Sequence, residues 1–544
     1  MVLPMSGTQP RAARRDGTIV FVATLLINAA VAAAIGSRGW DDGAITMAFA
    51  DTFAHTGRIS ITPASEVVEG FSSPFWLLLL AGVYRLVPLG FGGMILAAQL
   101  LTGLSAALGA TLLWDLLRRS LPRMAVILSV AVFTYAPFLI ETANGMEMTA
   151  LSVVVLAILR LITRTRSSAS ALFALAALVP WIRLEAAGYL LVAFAAMIVL
   201  ARDSRRARPL ILGTLTSLLA LTAARFAVFG AVIPNTILAK RWAVYGADSL
   251  AQHIGIPLID LGYALAPGAL VALFSIGMRS PAIDLASIRH GTVHRSVAYV
   301  AGYVVAVGLF NEIAGYNWGY HGRMQQSIIA PAVVVAVWIA PAASRRSLDS
   351  LRRIASVVLA MACLTVFGIF FAGEEEMTRT LPIGRADDTT PMSIAATARA
   401  VDDIRARLNL PVMSVLIPDI GGTALCCRQL QILDLGMLAD RKLARDGYEA
   451  AGRYVEEKRP DAIVDPSWGA GSKIYETSYF ADNYEPIASG ERWIYLRRDR
   501  LVLLENQCSW ISVEQARSLW YNPDGFTETF LRERGAIPVC RLGP

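Results

Sequence analysis

ILGTLTSLLAL, the stretch from Ile211 to Leu221, contains no charged side chain, and neither does IIAPAVVVAVWIAP, from Ile328 to Pro341. Only 17% of the 544 residues are charged, whereas about 25% is usual in a soluble domain. A charge at the centre of a membrane helix costs about 2.5–3.5 kcal/mol, so uncharged stretches of this kind suit hydrocarbon. The pattern predicts a polytopic α-helical membrane domain over residues 1–372.

Basic clusters between the apolar segments predict how the chain crosses the bilayer. Loops rich in Lys and Arg stay in the cytoplasm, and the other loops alternate with them on the outer side. The basic loops are Arg11–Arg15, Arg118–Arg123, Arg160–Arg166, Arg202–Arg208, Arg279–Arg295 and Arg345–Arg353. The outer loops are Asp41–Ser73, Glu141–Met148, Arg183–Glu185, Ala231–Pro257 and Asn311–Arg323. The C-terminal residues then lie outside, and the net charge of +7 needs no nucleic-acid surface to explain it.

Residues 74–117 decide the number of transmembrane helices. The segment looks like two spans, but the charge alternation requires it to cross an odd number of times. It therefore crosses once with a re-entrant piece, or three times in short spans. The sequence predicts 11 or 13 transmembrane helices.

The residues after the last apolar segment predict a soluble domain. Residues 373–390 have the composition of a linker. A helix is predicted around Ser393–Leu408 and strands over Val412–Ile417, Ala462–Val464 and Trp493–Leu496, so residues 391–544 form a small α/β domain. No Cys/His metal spacing occurs, and in an oxidising compartment Cys508 and Cys540 are a plausible disulfide.

The first outer loop begins with two adjacent carboxylates, Asp41 and Asp42. Either residue could cap a helix that runs through Phe53 and ends at Gly57, and the apolar spacing suits a helix in the membrane interface. Two carboxylates near a low-dielectric surface repel each other, so one pKa should rise. A raised pKa suits a general base that takes a proton from a hydroxyl, although a purely structural cap is the competing interpretation.

The same loop ends with EVVEGFSSPFW, residues Glu66 to Trp76. Gly70 and Pro74 predict a turn into the next helix. Glu69 and Ser72 are candidate contacts to a polar ligand, and a structural turn is the alternative.

These elements together resemble the GT-C class of polyprenyl-phosphate-sugar-dependent glycosyltransferases, in particular the terminal arabinofuranosyltransferases of the mycobacterial cell wall and their bacterial relatives. The resemblance spans residues 40 to about 465 and rests on several short elements in order. After the Asp pair and the Glu69 element come Asn144–Glu147, Arg183–Glu185, Pro234–Thr236 with Lys240, Gly322–Arg323, Pro418–Gly421 and Asp434–Asp440. The chain departs from the family at Gly43–Thr46, where relatives carry an aromatic residue and an Arg, and at Leu184, where they carry Pro.

The resemblance implies a GT-C-like fold and a membrane glycosyltransferase, with arabinofuranose as the favoured sugar and a cell-envelope glycan as acceptor. Asp41 or Asp42 would be the base, with slight preference for Asp41. The donor phosphate would be bound by Lys240, Arg323, Arg241 and Arg183. The substrates would also contact Glu69, Ser72, Glu147, Glu185, Asn235, His321 and Trp318. A bacterial plasma membrane location with an extracytoplasmic C-terminal domain follows.

Several alternatives stay open at this point. Arg183 could simply pair with Glu185, and the cations at 240 and 241 could anchor to lipid headgroups. No cofactor is required and no metal site is predicted, but a divalent cation bound by Asp41, Asp42 and Glu69 is possible chemistry. Two rival functions stay open: a non-catalytic polymer-binding or assembly protein, and a transporter. The expected site is a pocket at the outer membrane face where acidic and basic loop side chains meet.

Overall fold

A computed structural model gives the fold of the chain. It describes residues 9–122, 124–165, 167–242, 259–271, 290–314, 322–344, 390–465, 468–471, 473–489, 492–504, 508–512, 514–515 and 536–540. The expected linker over residues 373–390 lies outside these ranges except for Thr390. The apolar segment that follows residue 353 also lies outside them.

The first two-thirds of the described chain is helical. The helices are Gln9–Ile35, Asp41–Thr56, Pro74–Leu86, Phe91–Leu117, Ala125–Phe133, Ala136–Asn144, Met148–Thr163, Ala169–Ile182, Leu184–Val199, Ser204–Phe229, Asn235–Lys240, Ile259–Val271, His290–Ala314 and Gln326–Ser344. Four of them contain segments long and apolar enough to cross a membrane: Arg14–Ile35, Phe91–Leu117, Ser204–Phe229 and Thr292–Phe310. A fifth span arises if the two helices between Ala125 and Asn144, bent by 48°, count as one. The predicted total of 11 or 13 remains a prediction, because part of the apolar sequence lies outside the described ranges.

The helix Ser204–Phe229 exposes an apolar face. Leu212, Leu215, Leu219 and Phe226 are 57%, 44%, 72% and 61% exposed, and they recur at intervals of three, four and seven residues. Side chains at these intervals lie on one face of a helix. A continuous stripe of exposed large apolar side chains is unfavourable in water and suits lipid. The chain is thus a multi-pass membrane protein in its helical part, as the sequence predicts.

Residues 74–117 form two helices of unequal length. Pro74–Leu86 has 13 residues and Phe91–Leu117 has 27. At 1.5 Å per residue the first is about 20 Å long, which is shorter than the roughly 30 Å hydrocarbon core. Only the second has the length of a membrane span, so the helix lengths favour one crossing with an additional short piece.

The C-terminal domain is an α/β structure built on one mixed sheet. Its strands are β1 (Met413–Ile417), β2 (Leu430–Asp434), β3 (Ala462–Val464), β4 (Tyr484–Ser489), β5 (Arg492–Arg497), β6 (Cys508–Ser512) and β7 (Ala536–Cys540). The order across the sheet is β2-β1-β3-β5-β4-β7-β6. The β1 strand pairs in parallel with β2 and β3, whereas β3–β5, β4–β5 and β6–β7 are antiparallel. The helices are Pro391–Arg407, Gly421–Cys426, Arg441–Asp446, Ala451–Lys458, Ser478–Asn483 and Arg498–Val502.

The sequence correctly predicts that this domain is α/β, and it predicts three of the strands. Val412–Ile417, Ala462–Val464 and Trp493–Leu496 correspond to β1, β3 and β5. The strands β1 and β3 pair in parallel, and nearly all of their residues are buried. Their sequences are therefore short apolar runs. Other strands, such as β4 (YEPIAS), mix polar residues and Pro with apolar ones and give a weaker signal.

Disulfides occur in the C-terminal domain. Cys426 and Cys427, adjacent in sequence, are joined to each other, a pairing that the sequence did not predict. Cys508 is also disulfide-bonded, and it lies opposite Cys540 in the β6–β7 register. The bond between Cys508 and Cys540 stays a prediction.

The chain divides into two compact units. One contains Met1–Ile35, Ala98–Leu221 and Tyr245–Gly384, and the other contains Gly36–Ala97, Thr222–Val244 and Arg385–Pro544. We call these the helical unit and the mixed unit. The mixed unit includes both the first outer loop and the C-terminal α/β domain, so residues far apart in sequence pack there as one body.

Candidate active site

Asp41 lies in the first turn of the helix Asp41–Thr56, in the mixed unit. The N-cap is Trp40 and makes no side-chain capping bond, so the prediction that Asp41 or Asp42 caps this helix is wrong. The Asp41 carboxylate instead accepts two backbone hydrogen bonds from the C-terminal domain. The N–H of Gly421 donates to Oδ2 at 2.8 Å, and the N–H of Gly422 donates to Oδ1 at 2.6 Å. The predicted end of the helix at Gly57, which is left-handed with a φ of 73°, is confirmed.

Gly421 and Gly422 must be glycines because their backbone lies very close to Asp41 and Pro391. A Cβ added at Gly421 would lie 2.6 Å from both the main-chain oxygen and Oδ2 of Asp41. A Cβ added at Gly422 would lie 2.4 Å from the main-chain oxygen of Pro391. Real Cβ atoms do not approach oxygen this closely. The Gly-Gly pair therefore allows the backbone N–H groups to reach the carboxylate.

The surroundings of Asp41 raise its pKa to about 8. Burial is the largest cause, followed by the negative charge of Asp419, and the amides of Gly422 and Gly421 oppose the rise. Asp42 contributes less than Asp419 does. The sequence correctly predicts that one carboxyl of the pair has a raised pKa and that the other contributes to it, but the larger repulsion comes from Asp419.

The helix that begins at Asp41 is buried rather than interfacial. All ten residues from Gly43 to Thr52 are buried, whereas an interfacial helix would have a polar face in water. Arg428 of the C-terminal domain donates to the buried Asp51 carboxylate at 2.5 Å. Contacts with the C-terminal domain therefore cover a helix that the sequence suggests is at the membrane surface. Asp42 itself is partly buried.

Glu69 forms a buried ion pair with Arg225, a residue that none of the sequence motifs contains. The Arg225 Nε donates to Oε2 of Glu69, and Nη2 donates to Oε1 at 3.0 Å. The two side chains are 5% and 4% exposed. Both carboxylate oxygens are thus bonded to one guanidinium, which makes this a strong bidentate ion pair. Arg225 is a cation within a predicted apolar span, and a charge in such a place is itself a signal of function or pairing.

The turn after Glu69 starts the next helix as the sequence predicts. Ser73 is the N-cap and accepts from the N–H of Trp76 at 3.2 Å, while Pro74 occupies the first helical position. Ser72 is partly buried beside them. Gly70 is another close approach, since an added Cβ would lie 2.8 Å from the Phe49 ring.

The Pro234–Lys240 element contacts the second tail motif. The Asn235 Nδ2 donates to the main-chain oxygens of Met437 and Leu438 at 2.9 and 2.8 Å. Asn235 is 6% exposed, so its side chain serves this contact within the mixed unit. Lys240 ends the short helix and is exposed.

Arg241 is exposed and contacts the C-terminal domain. Its Nη2 donates to the main-chain oxygen of Arg445 at 2.7 Å. Its guanidinium lies 4.8 Å from the centre of the Trp242 ring, a cation–π distance. The Trp242 indole donates to the main-chain oxygen of Ala444 at 2.9 Å.

The helical unit contains a second group of candidate residues around Arg183. The guanidinium donates to Glu147 Oε1 at 2.9 Å and to Glu185 Oε1 at 2.7 Å. Arg183 and Glu147 have side chains 4% and 2% exposed, and Glu185 is 18% exposed. The local salt bridge with Glu185 is therefore present, and Glu147 adds a second carboxylate. Glu141 lies beside the start of the helix Met148–Thr163, where its Oε1 accepts from the N–H of Met148 at 2.7 Å.

Arg323 belongs to the same unit and is partly buried. Its Nη2 lies 3.4 Å from the sulfur of Met146, so it shares the 144–147 turn with the Arg183 group. The predicted contacts His321 and Trp318 lie outside the described residues.

The C-terminal domain contains further buried carboxyls near the β2 strand end. Asp434 is fully buried, and burial with the charges of Asp440 and Asp419 raises its pKa to about 8 against the amides of Ala439 and Gly436. Burial also raises the pKa of Asp440, whose carboxylate accepts from the Tyr454 hydroxyl. Asp419 therefore lies electrostatically close to both Asp41 and Asp434. Among the described residues, no group of three or more His, Cys, Asp or Glu side chains is arranged to bind a metal.

The residues of the candidate site that sequence reasoning missed are mostly partners from distant segments. Gly421 bonds to a residue 380 positions away, and Arg225 to one 156 positions away. The sequence points to the tail motifs only through a resemblance. A lone cation in an apolar span and a Gly-Gly pair after a strand were the signals available.

Comparisons with known proteins find a similarity at the level of structure. No family model and no curated protein matches the chain. Among solved structures, the chain is similar to ArnT from Cupriavidus metallidurans bound to undecaprenyl phosphate, with 17% sequence identity and a TM-score of 0.42. The similarity covers 83% of this chain and 80% of that one. Because the superposition is this loose, the assignment of function rests on the residues of this chain.

Proposed function

We propose that this protein is a membrane glycosyltransferase of the GT-C kind that transfers a sugar from a polyprenyl-phosphate donor to a hydroxyl of a cell-envelope glycan. Asp41 is the general base. The observation that carries the proposal is the Asp41 carboxylate, bonded by two amides and raised in pKa to about 8 in a protein with lipid-facing helices. A base is most effective when its pKa lies near the working pH.

The proposed reaction is a nucleophilic displacement at the anomeric carbon of the donor sugar. The acceptor hydroxyl gives its proton to Asp41, and the acceptor oxygen forms a bond to the anomeric carbon. The bond from that carbon to the donor phosphate oxygen breaks, and the electron pair leaves with the polyprenyl phosphate. Each oxygen of Asp41 accepts one amide bond, and a carboxylate oxygen has a further lone pair with which to accept the hydroxyl.

Cations must bind the donor phosphate and stabilise it as it leaves. We assign this role first to Lys240 and Arg323. Arg183 is a weaker candidate, because two carboxylates already neutralise it. Arg241 is exposed but bonded to a carbonyl oxygen and stacked on Trp242, so we assign it a secondary role.

The remaining candidate residues are proposed to contact substrate or to shape the site. Glu185 is the more exposed of the two carboxylates on Arg183 and is proposed to accept from sugar hydroxyls. Glu69 and Asn235 are bonded inside the protein, so we propose that they position the outer loops around the substrate. Arabinofuranose is the favoured sugar, on the resemblance of the outer-loop elements.

A bacterial plasma membrane location with the C-terminal domain outside is part of the proposal. Disulfides persist in oxidising compartments and are rare in the cytosol. The bonded Cys426–Cys427 pair and the bonded Cys508 all belong to this domain. The alternation of basic loops gives the same orientation.

The test is a transfer assay on the purified protein in lipid, with polyprenyl-phosphate donors that carry either a pentose or a hexose. Wild type is expected to release polyprenyl phosphate and to extend a glycan acceptor, preferring the pentose donor. A variant with both Asp41→Asn and Asp42→Asn should lose turnover but still bind donor lipid. If wild type binds donor and acceptor without transfer under all conditions, the enzyme assignment is wrong and a binding role is favoured.

A further inference from the structure

The C-terminal domain contacts the candidate base through one short segment, Asp419 to Gly422. Gly421 and Gly422 donate the two hydrogen bonds to Asp41, and Asp419 supplies a negative charge beside it. The segment follows the β1 strand directly, and β1 is central among the parallel strands of the sheet. The donors therefore follow a strand that is paired on both sides.

The two influences on Asp41 act in opposite directions. The amides favour the ionised carboxylate, whereas the charge of Asp419 favours the protonated form. The amides fix both oxygens in position, because each accepts from a different N–H. The charge of Asp419 makes the carboxylate a stronger acceptor of a proton. One short segment, Asp419 to Gly422, thus contributes both to the position of the Asp41 side chain and to its proton affinity.

We propose that Asp419, Gly421 and Gly422 are positioning residues for the transfer reaction, which makes the C-terminal domain part of the active site rather than a separate binding module. This inference rests on the proposed function, since it assumes that Asp41 is the base. Asp419 acts on the base through its charge, and the glycines act through their amides.

Several carboxyls interact with the Asp41 carboxylate or with its neighbours. Asp42 and Asp419 raise the proton affinity of Asp41. Asp434 interacts with Asp419 and with Asp440 from the β2 side. Replacing Asp419 by Asn is therefore expected to affect Asp434 as well as Asp41, and the experiment must separate the two effects.

The first measurement needs no substrate. Thermal unfolding of wild type, Asp41→Asn, Asp419→Asn and the double variant is compared at pH 5.5 and pH 9.5. The two substitutions should be coupled at pH 9.5, where Asp41 is ionised, and additive at pH 5.5, where Asp41 is protonated. Because Asp434 is present in all four proteins, its response to Asp419→Asn cancels in the cycle. Additivity at both pH values would overturn the proposal whether or not the protein transfers sugar.

The second measurement is the pH dependence of transfer. Asp419→Asn should move the acidic limb of the profile to lower pH by about one unit, because the base loses a neighbouring charge. A merely structural role would lower the rate equally at every pH. The matched control is Asp482→Asn, at an exposed Asp of the same domain. An unmoved limb, with coupling present in the first measurement, would overturn the positioning role.

The glycine contact gives an independent readout. Gly421→Ala brings a methyl group to 2.6 Å from Asp41 oxygens, so kcat should fall about tenfold or more, because a misplaced base costs rate, with little change in donor binding. Gly92→Ala, where nothing lies within 4 Å of the added Cβ, is the control. Equal kcat for Gly421→Ala and Gly92→Ala would contradict the inference. A wild type that transfers no sugar, with the coupling intact, would instead show that the proposed function has failed.

Discussion

The buried ion pair between Glu69 and Arg225 supports a quantitative prediction. Both side chains are at most 5% exposed, and both Glu69 oxygens are bonded to the guanidinium. Arg225→Leu leaves the carboxylate buried without its counter-charge. Removing one partner of a buried pair costs about 3–5 kcal/mol. At roughly 2–4 °C per kcal/mol for a unit of 150–250 residues, Tm should fall by about 6–20 °C.

The double variant separates the pair from the packing around it. Glu69→Met with Arg225→Leu removes both charges and keeps apolar volume, so it should melt above either single variant, Glu69→Met or Arg225→Leu. The assay is thermal unfolding in detergent micelles, followed by tryptophan fluorescence. The matched control is Arg445→Leu, because Arg445 is 70% exposed in its pair with Asp446 and such pairs contribute about 0–1 kcal/mol. Equal Tm values for Arg225→Leu and Arg445→Leu, or strict additivity in the double variant, would refute the reasoning.

Three further predictions follow from the described residues. The pKa of Asp434 is about 8 in the folded protein, against an ordinary value of 3.8. Between these pH values the folded protein binds one more proton than the unfolded chain, so its stability falls as the pH rises. Asp434→Asn should flatten this fall in a pH series of thermal unfolding. Gly213→Ala puts a Cβ 2.3 Å from a main-chain oxygen and should lower Tm by several degrees, whereas Gly188→Ala, with open space around it, should not. The peptide that contains Cys426 and Cys427 should resist alkylation until the protein is reduced, as mass spectrometry of the unfolded protein will show.

The sequence predicted the classes of structure well. Long uncharged stretches identify membrane helices because charge is costly in hydrocarbon. The β1 and β3 strands are short apolar runs, which is how buried parallel strands read. The turn at Ser73 and Pro74 and the left-handed Gly57 have local chemistry that a sequence carries on its own.

The sequence did not predict which distant residues meet. Asp41 looked like a helix cap because Asp is a preferred cap residue, yet its oxygens bond to Gly421 and Gly422. Glu69 looked like a ligand contact, yet it pairs with Arg225. Neither partner can be identified from local spacing, because long-range pairing depends on how the outer loop packs with the C-terminal domain. One sequence cannot supply that information.

The most direct measurement of the central claim is a structure of the protein with a non-hydrolysable polyprenyl phosphonate sugar and a glycan acceptor, determined in lipid. The account predicts the attacking hydroxyl at about 3 Å from an oxygen of Asp41, as a general base requires, with the Gly421 and Gly422 amides still bonded to the same carboxylate. An acceptor hydroxyl far from Asp41, with the bound sugar contacting neither Asp41 nor Asp42, would contradict it.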